Sequence, residues 1–212
     1  MEKIIPIAEI FESIQGEGSY AGTPALFIRT GKCNLACSWC DTPYTWKKGF
    51  ETYTDWPVEK VLKQIKKSKI RHFVITGGEP MLHQPFIAEI RRNFRGAFIE
   101  VETNGTIPSI LGEKTVDQFN ISPKLTNSKN SWYKLNLKVK NCIYKFVIQT
   151  PSDITEVENF AAKEKLTRKK IYLMPEGTTT KKILEREKWL IPLAKKKKFH
   201  HSTRLHILRN VR

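Results

Sequence analysis

Ala25-Leu26-Phe27-Ile28-Arg29 leads, through Thr30-Gly31-Lys32, into Cys33-Asn34-Leu35-Ala36-Cys37-Ser38-Trp39-Cys40. The first five residues are an apolar run of strand length, and the loop they open into carries cysteines at C-x3-C-x2-C spacing. Three thiolates from one short loop suffice for three irons of a cubane cluster, which leaves a fourth iron free to bind a small molecule directly. A structural zinc site instead takes four protein ligands. The remaining cysteine, Cys142, stands far downstream, and none of His72, His83, His200, His201 and His206 has knuckle spacing to the run. Four cysteines in 212 residues, with no signal peptide at Met1-Glu2-Lys3-Ile4-Ile5-Pro6, do not suit a disulfide-stapled secreted domain. Spacing therefore favours iron–sulfur chemistry over zinc or unrelated thiols. Cys142 is expected as a small buried hydrophobe beside a strand.

Downstream, strand-length apolar runs alternate with segments of helical period. Val58, Val61, Leu62 and Ile65 predict a helix over 57–67, with Pro57 in its first turn and Asp55 as its cap. Residues 72–76 read as a strand ended by Gly77-Gly78, and 84–94 as a helix with Ile87, Ile90 and Phe94 on one side. Residues 97–101, 119–122, 144–148 and 171–174 read as further strands, and 204–208 as a closing one. Asp153 is expected to cap a helix carrying Val157, Phe160 and Ala161, and Thr178 or Thr179 to open a last helix with Ile183, Leu184 and Leu190. A polar loop fills 124–142, where a helix would otherwise stand.

Such alternation with short connections implies a parallel sheet with helices on its outer face. Polar loops follow the strands: the cysteine loop, T-G-G-E-P at 76–80, E-T-N-G-T at 102–106, S-P-K at 122–124 and M-P-E-G at 174–177. Ligands of α/β folds gather at the carboxyl ends of strands, so these loops are expected to share one site. Eight full β/α units need about 250 residues. The expected fold class is therefore α/β: a partial, open (β/α) barrel with mostly parallel strands and reduced helices, in a single domain over 1–212.

The formal net charge of +16 would suit an anionic partner. The lysines are nevertheless scattered, at 66–67, 138–140, 169–170 and 195–198, and the last group reads as a solvated helix end. No helix-turn-helix, zinc knuckle or RNP-like aromatic motif accompanies them, so no nucleic-acid partner is expected. No apolar run approaches the ~20 residues that span a bilayer, so no membrane partner is expected either. A reducing cytoplasm suits the thiolates of a cluster.

Around the cysteines stand Glu12-Ser13-Ile14-Gln15-Gly16-Glu17-Gly18, Gly22-Thr23-Pro24 and Phe27-Ile28-Arg29 upstream and Asp41-Thr42 downstream. The cysteine run resembles the signature of radical S-adenosylmethionine (SAM) enzymes. The whole set resembles the 7-carboxy-7-deazaguanine synthases, the radical SAM enzymes of queuosine biosynthesis. The resemblance continues through T-G-G-E-P, E-T-N-G-T, I-S-P-K, K-F-V-I and L-M-P-E-G and covers nearly the whole chain. Its most specific parts are S-x-Q-G-E-G and C-D-T.

The resemblance implies a carbon–nitrogen lyase that converts 6-carboxy-5,6,7,8-tetrahydropterin to 7-carboxy-7-deazaguanine with loss of ammonia. It implies a [4Fe-4S] cluster, reusable SAM and Mg2+ as cofactors, an external electron donor and a homodimer. In the superfamily the open iron chelates SAM, and an electron from the cluster releases a 5′-deoxyadenosyl radical, so no acid–base residue is implied.

Carried over residue by residue, the cluster ligands are Cys33, Cys37 and Cys40, and the Mg2+ ligand is Thr42. SAM would meet Trp39, Gly78, Glu79, Ser122, Pro123, Lys124, Met174, Pro175, Glu176 and Gly177. The pterin would meet Ile14, Gln15, Gly16, Glu17, Arg29 and Thr76, with Glu102, Thr103 and Asn104 facing the same region. Arg29 offers a planar fork for a carboxylate. The competing structural readings are an Arg29 ion pair with Glu17 or Asp41, Thr42 as a turn residue, Trp39 as core packing and Glu17 as a loop brace. The family tail often reads Q-L-H before a Trp-Gly-rich end. Here Arg204-Leu205-His206 keeps the histidine but the Trp-Gly is absent, so the carboxylate contact made by the tail of some members is not carried over. A glycyl-radical activase would share the cysteines but need a protein partner instead of a pterin pocket. A zinc-stabilised nucleic-acid-binding module is the rival outside catalysis.

Overall fold

The computed structural model describes residues 3–211, so any contact of Arg212 lies outside the described residues. β1 (Ile4–Ile14) turns back into β2 (Pro24–Thr30), which delivers the cysteine loop. β3 (Thr54–Pro57) returns to pair with the start of β1, and α1 (Val58–Lys66) follows it directly. Then come β4 (His72–Gly77), α2 (Gln84–Asn93), β5 (Phe98–Thr103), β6 (Gln118–Ile121), β7 (Cys142–Ile148), α3 (Asp153–Lys163) and β8 (Ile171–Pro175). The long α4 (Thr180–Lys197), the two-residue β9 (His200–His201) and the short α5 (Leu205–Leu208) complete the described chain.

These strands form one sheet in the order β3-β1-β2-β4-β5-β6-β7-β8-β9. Every neighbouring pair from β2 to β9 is parallel, whereas β1 is antiparallel to both of its neighbours. The sheet ends at β3 and β9 instead of closing, which is the partial barrel the short chain calls for. Parallel strands bring all their carboxyl ends to one rim.

Period-two alternation separates the two faces of the sheet. Ile28, Phe73, Ile75, Ile99, Val101, Ile121, Phe146 and Ile148 are fully buried in one core with Val61 and Ile65 of α1, Phe86, Ile87 and Ile90 of α2, Val157 of α3 and Leu190 of α4. Each such side chain contributes about 1.5–3 kcal/mol by leaving water. The alternate positions Glu100, Asn120 and Lys145 are also buried, with Glu102 beside them. A polar second face is what a ligand-binding barrel interior requires.

The structure corrects several local expectations. Leu205–Leu208 are helical, because Ile207 N and Leu208 N bond back to the Arg204 carbonyl, and the closing strand is β9 instead. Asp55 does not cap α1: it lies in β3 opposite Pro6, and Pro57 is the residue before the helix. Asp153 is the first helical residue of α3 and not its cap, and its carboxylate accepts from Gln149 N and Thr150 N. Thr179 caps α4, its side chain accepting from Lys182 N. Among the described residues no helix is long and apolar enough to cross a membrane.

Candidate active site

The strand carboxyl ends border a cavity of about 450 Å³. All five polar loops reach it, through Cys33, Cys37 and Cys40, then Thr76 and Gly78, then Glu102, then Ser122 and Lys124, then Met174 and Glu176. The β1–β2 turn adds Ile14, Gln15, Gly16 and Glu17, and the tail adds Arg204 and His206.

All four cysteines are free. Cys142 is buried, its Sγ donating to the Val139 carbonyl at 3.2 Å, whereas the other three are half-buried in the cavity wall. Each of these three sulfurs accepts one N–H: Leu35 N to Cys33 at 3.4 Å, Asn130 Nδ2 to Cys37 at 3.2 Å and Trp46 Nε1 to Cys40 at 3.2 Å. Hydrogen bonds to sulfur are among the levers by which proteins tune iron–sulfur clusters. Burial pushes the Cys33 thiol up to about 11 and raises Cys37 as well, and metal coordination removes such protons outright. Among the described residues no three His, Cys, Asp or Glu side chains are drawn into a closed metal-binding group. Three thiols in the cavity lining, each with its N–H donor and with no fourth cysteine beside them among the described residues, fit a cluster with an open iron.

The loop at 124–142 braces the cysteines in place of a helix. Ser38 N donates to Ser128 O at 3.1 Å, Ala36 N to Asn130 Oδ1 at 3.3 Å and Trp39 Nε1 to Asn127 Oδ1 at 3.1 Å. That bond fixes the indole, and the Lys124 ammonium lies 5.1 Å from its ring centre while donating to Ser122 Oγ at 2.8 Å.

Gly78 lines the cavity where β4 ends, and a Cβ there would collide with the Lys32 carbonyl. Glu79 is not on the wall. It is fully buried below it, accepting from Met81 N, Thr103 Oγ1 and Asn104 N at 2.9, 2.6 and 2.7 Å, and so ties β4 to β5. Burial pushes its carboxyl up. Pro123, Pro175 and Gly177 also lie off the wall; Pro175 pairs with Ile148 in the sheet, and the Gly177 carbonyl accepts from Arg204 Nη1.

At the other end Gln15 donates to Glu100 at 2.8 Å and to Glu102 at 3.3 Å. Lys145 sits between Glu17 and Glu102, bonding the latter at 2.7 Å. Burial alone would raise the Glu17 carboxyl, but Lys145 and Arg204 hold it well below the usual carboxylate range. Burial, with Glu100 and Glu17 nearby, pushes Glu102 up in spite of Lys145. Arg204 pairs with Glu17 and with Asp41, and a Cβ on Gly16 would collide with His206. Glu17 thus braces the loop and lines the cavity at once.

Arg29 pairs with neither Glu17 nor Asp41: its partner is Glu9, at 2.9 Å. Thr76, its cross-strand neighbour in β4, shares the cavity wall. The Thr42 hydroxyl lies 3.8 Å from Cys40 Sγ on the same wall. It is one hard oxygen donor, so Mg2+ there would need substrate oxygens and water to complete its shell. Sequence reasoning assigned no site role to Glu9, Lys145 or Arg204, although Lys145 stands in the K-F-V-I segment and Arg204 in the tail; for Glu9 and Lys145, a charged residue within an otherwise apolar strand was the available hint.

The radical SAM superfamily model matches residues 27–157. The chain is 32% identical to the 7-carboxy-7-deazaguanine synthase of Pyrobaculum aerophilum over 210 residues, covering 96% of this chain and 94% of that one. It is 31% identical to the enzyme of the same name from Halobacterium salinarum, covering 96% and 89%. Among solved structures it superposes on QueE from Escherichia coli with a TM-score of 0.75 at 27% identity, covering 96% and 95%. With the C-x3-C-x2-C loop on the shared wall, these likenesses make the chain a member of the 7-carboxy-7-deazaguanine synthase family of radical SAM enzymes.

Proposed function

We propose that this chain, acting as one domain over 1–212, converts 6-carboxy-5,6,7,8-tetrahydropterin to 7-carboxy-7-deazaguanine and ammonia. The observation that carries the reading is that one cavity is lined both by the three thiols and by Arg29, Gln15, Glu17 and Glu102. Product and ammonia together account for every atom of the substrate, so turnover is redox-neutral and suits a reusable initiator.

Cys33, Cys37 and Cys40 would hold the [4Fe-4S] cluster, with Trp39, Gly78, Ser122, Lys124, Met174 and Glu176 around SAM. Bound together, cluster and SAM supply the organic radical that starts the rearrangement. The chain's own residues bind and orient. Lys124 offers a cation for a carboxylate, and Trp39 a flat face for an adenine. Gln15, Glu17 and Glu102 present acceptors to the amino and N–H groups of a pterin edge. Arg29 takes the substrate carboxylate, and Thr42 with that carboxylate holds Mg2+. A separate electron donor, a homodimeric state and a reducing cytoplasm belong to the same reading, and four unpaired cysteines support the last.

The test is substrate scope. Anaerobically reconstituted enzyme with SAM and reductant should turn over the carboxylated tetrahydropterin and leave tetrahydropterin without a carboxylate unchanged. Turnover of neither, with activity toward a glycyl-radical enzyme instead, would overturn the reading.

A further inference from the structure

A bulge in β1 sets Glu9 against Arg29. The register with β2 runs from Ile7↔Thr30 to Glu9↔Arg29, so Ala8 is an extra residue. Bulges re-aim the side chains beside them and recur next to active sites. Here Glu9 becomes the direct cross-strand partner of Arg29, on the face that carries Phe11 and Phe27. Those two rings stack with centroids 5.1 Å apart and line the cavity, and the Arg29 guanidinium lies 5.8 Å from the Phe11 ring centre.

Among its partners in the described residues, Glu9 Oε1 accepts from Arg29 Nε at 2.9 Å and from the Tyr44 hydroxyl at 2.6 Å. Both members of the ion pair are mostly buried, with side chains 16% and 15% exposed for Arg29 and Glu9. The pair uses Nε alone. Among the described residues the terminal nitrogens of Arg29 have no hydrogen-bond partner, and the side chain lines the cavity. That terminal pair can meet a carboxylate in two parallel bonds. Tyr44 stands in the turn at Pro43–Thr45, immediately after Thr42. One carboxylate oxygen thus anchors both the guanidinium and the turn that presents the Thr42 hydroxyl.

We propose that Glu9 is the positioning residue for recognition of the substrate carboxylate: it holds Arg29 by Nε and the Thr42 turn through Tyr44, so that both address one carboxylate. This rests on the reading that Arg29 takes that carboxylate. Without Glu9 the guanidinium would stand over the Phe11 ring and lose the carboxylate that fixes its rotation and balances its charge.

The test is fluorescence titration of cluster-loaded enzyme with 6-carboxypterin and with pterin, which lacks the carboxylate. Glu9→Gln should weaken 6-carboxypterin binding about tenfold, as loss of an orienting partner does elsewhere, and leave pterin unchanged. Tyr44→Phe, which removes only the hydroxyl of a half-buried ring, should shift the ratio the same way by less and decides the matter if Glu9→Gln does not fold. Equal weakening of both ligands, or an unchanged ratio in both variants while Arg29→Ala abolishes the preference, would overturn the proposal and leave Arg29 in its role. An unchanged ratio in Arg29→Ala would remove the underlying reading as well.

Discussion

Arg204 Nε donates to Glu17 Oε1 at 3.2 Å, joining residues 187 positions apart. The same guanidinium pairs with Asp41 and donates to the Gly177 carbonyl. The tail, the β1–β2 turn, the cysteine loop and the M-P-E-G loop therefore meet on one cation, in the position where the family's Q-L-H carries glutamine. Breaking a buried pair costs roughly 3–5 kcal/mol, and the low end applies because Asp41 is partly exposed. Arg204→Met should lose about 3 kcal/mol in urea unfolding, with weaker pterin binding. Unchanged stability would show that the tail is not a structural tie.

Stability should also fall in acid through Glu17. Its folded-state carboxyl is held below the ordinary 4.5, so its contribution is whole above that value and is lost as pH falls through the folded value. Lys145 runs the other way. Burial would lower it, but Glu102 and Glu17 hold it above 10.5, so its contribution persists below 10.5 and fades only as pH rises through the folded value. Unfolding followed by circular dichroism should show the gap between native protein and Glu17→Gln shrinking below 4.5. A gap constant across that range would show that Glu17 is not ionised against its cations.

Cys37→Ala should lose iron, sulfide and turnover, and Cys142→Ala should keep all three. Cys37 lies on the cavity wall with an N–H donor from Asn130, whereas Cys142 is buried at the start of β7. Iron and sulfide analysis of the anaerobic proteins decides it, and loss of cluster in Cys142→Ala would contradict the three-thiol site.

Thr42→Ala should retain cluster and SAM binding but lose most of the Mg2+ stimulation of turnover. One neutral hydroxyl binds the ion weakly, so metal and substrate should bind cooperatively in the native enzyme. Calorimetry should show Mg2+ binding tightened by substrate, and much less so in the variant. Equal stimulation of both proteins would leave Thr42 a turn residue.

The parallel strands and the loops after them were legible because each apolar run ends in Gly, Pro or a polar cluster. β1 was not, since Pro6, Glu9 and Glu12 interrupt its alternation and Ala8 shifts its phase at the bulge. The tail at 204–208 alternates like a strand, but Leu205 N bonds the Gly16 carbonyl and the chain turns helical against the cavity. In the site, the cysteines and the polar turn residues were readable from spacing and resemblance. Burial of the Glu79 side chain was not readable, because its motif marks a strand end without saying which side chain points down into the core. Partners such as Glu9 for Arg29 and Arg204 for Glu17 depend on register and on contacts between distant segments, which no local pattern encodes.

The most direct test of the account is mass balance. Anaerobically reconstituted enzyme, given SAM, a reductant and 6-carboxy-5,6,7,8-tetrahydropterin, should release 7-carboxy-7-deazaguanine and ammonia in equal amounts, and neither when the cluster is absent. SAM cleavage with no deazaguanine formed, or deazaguanine formed without matching ammonia, would contradict it.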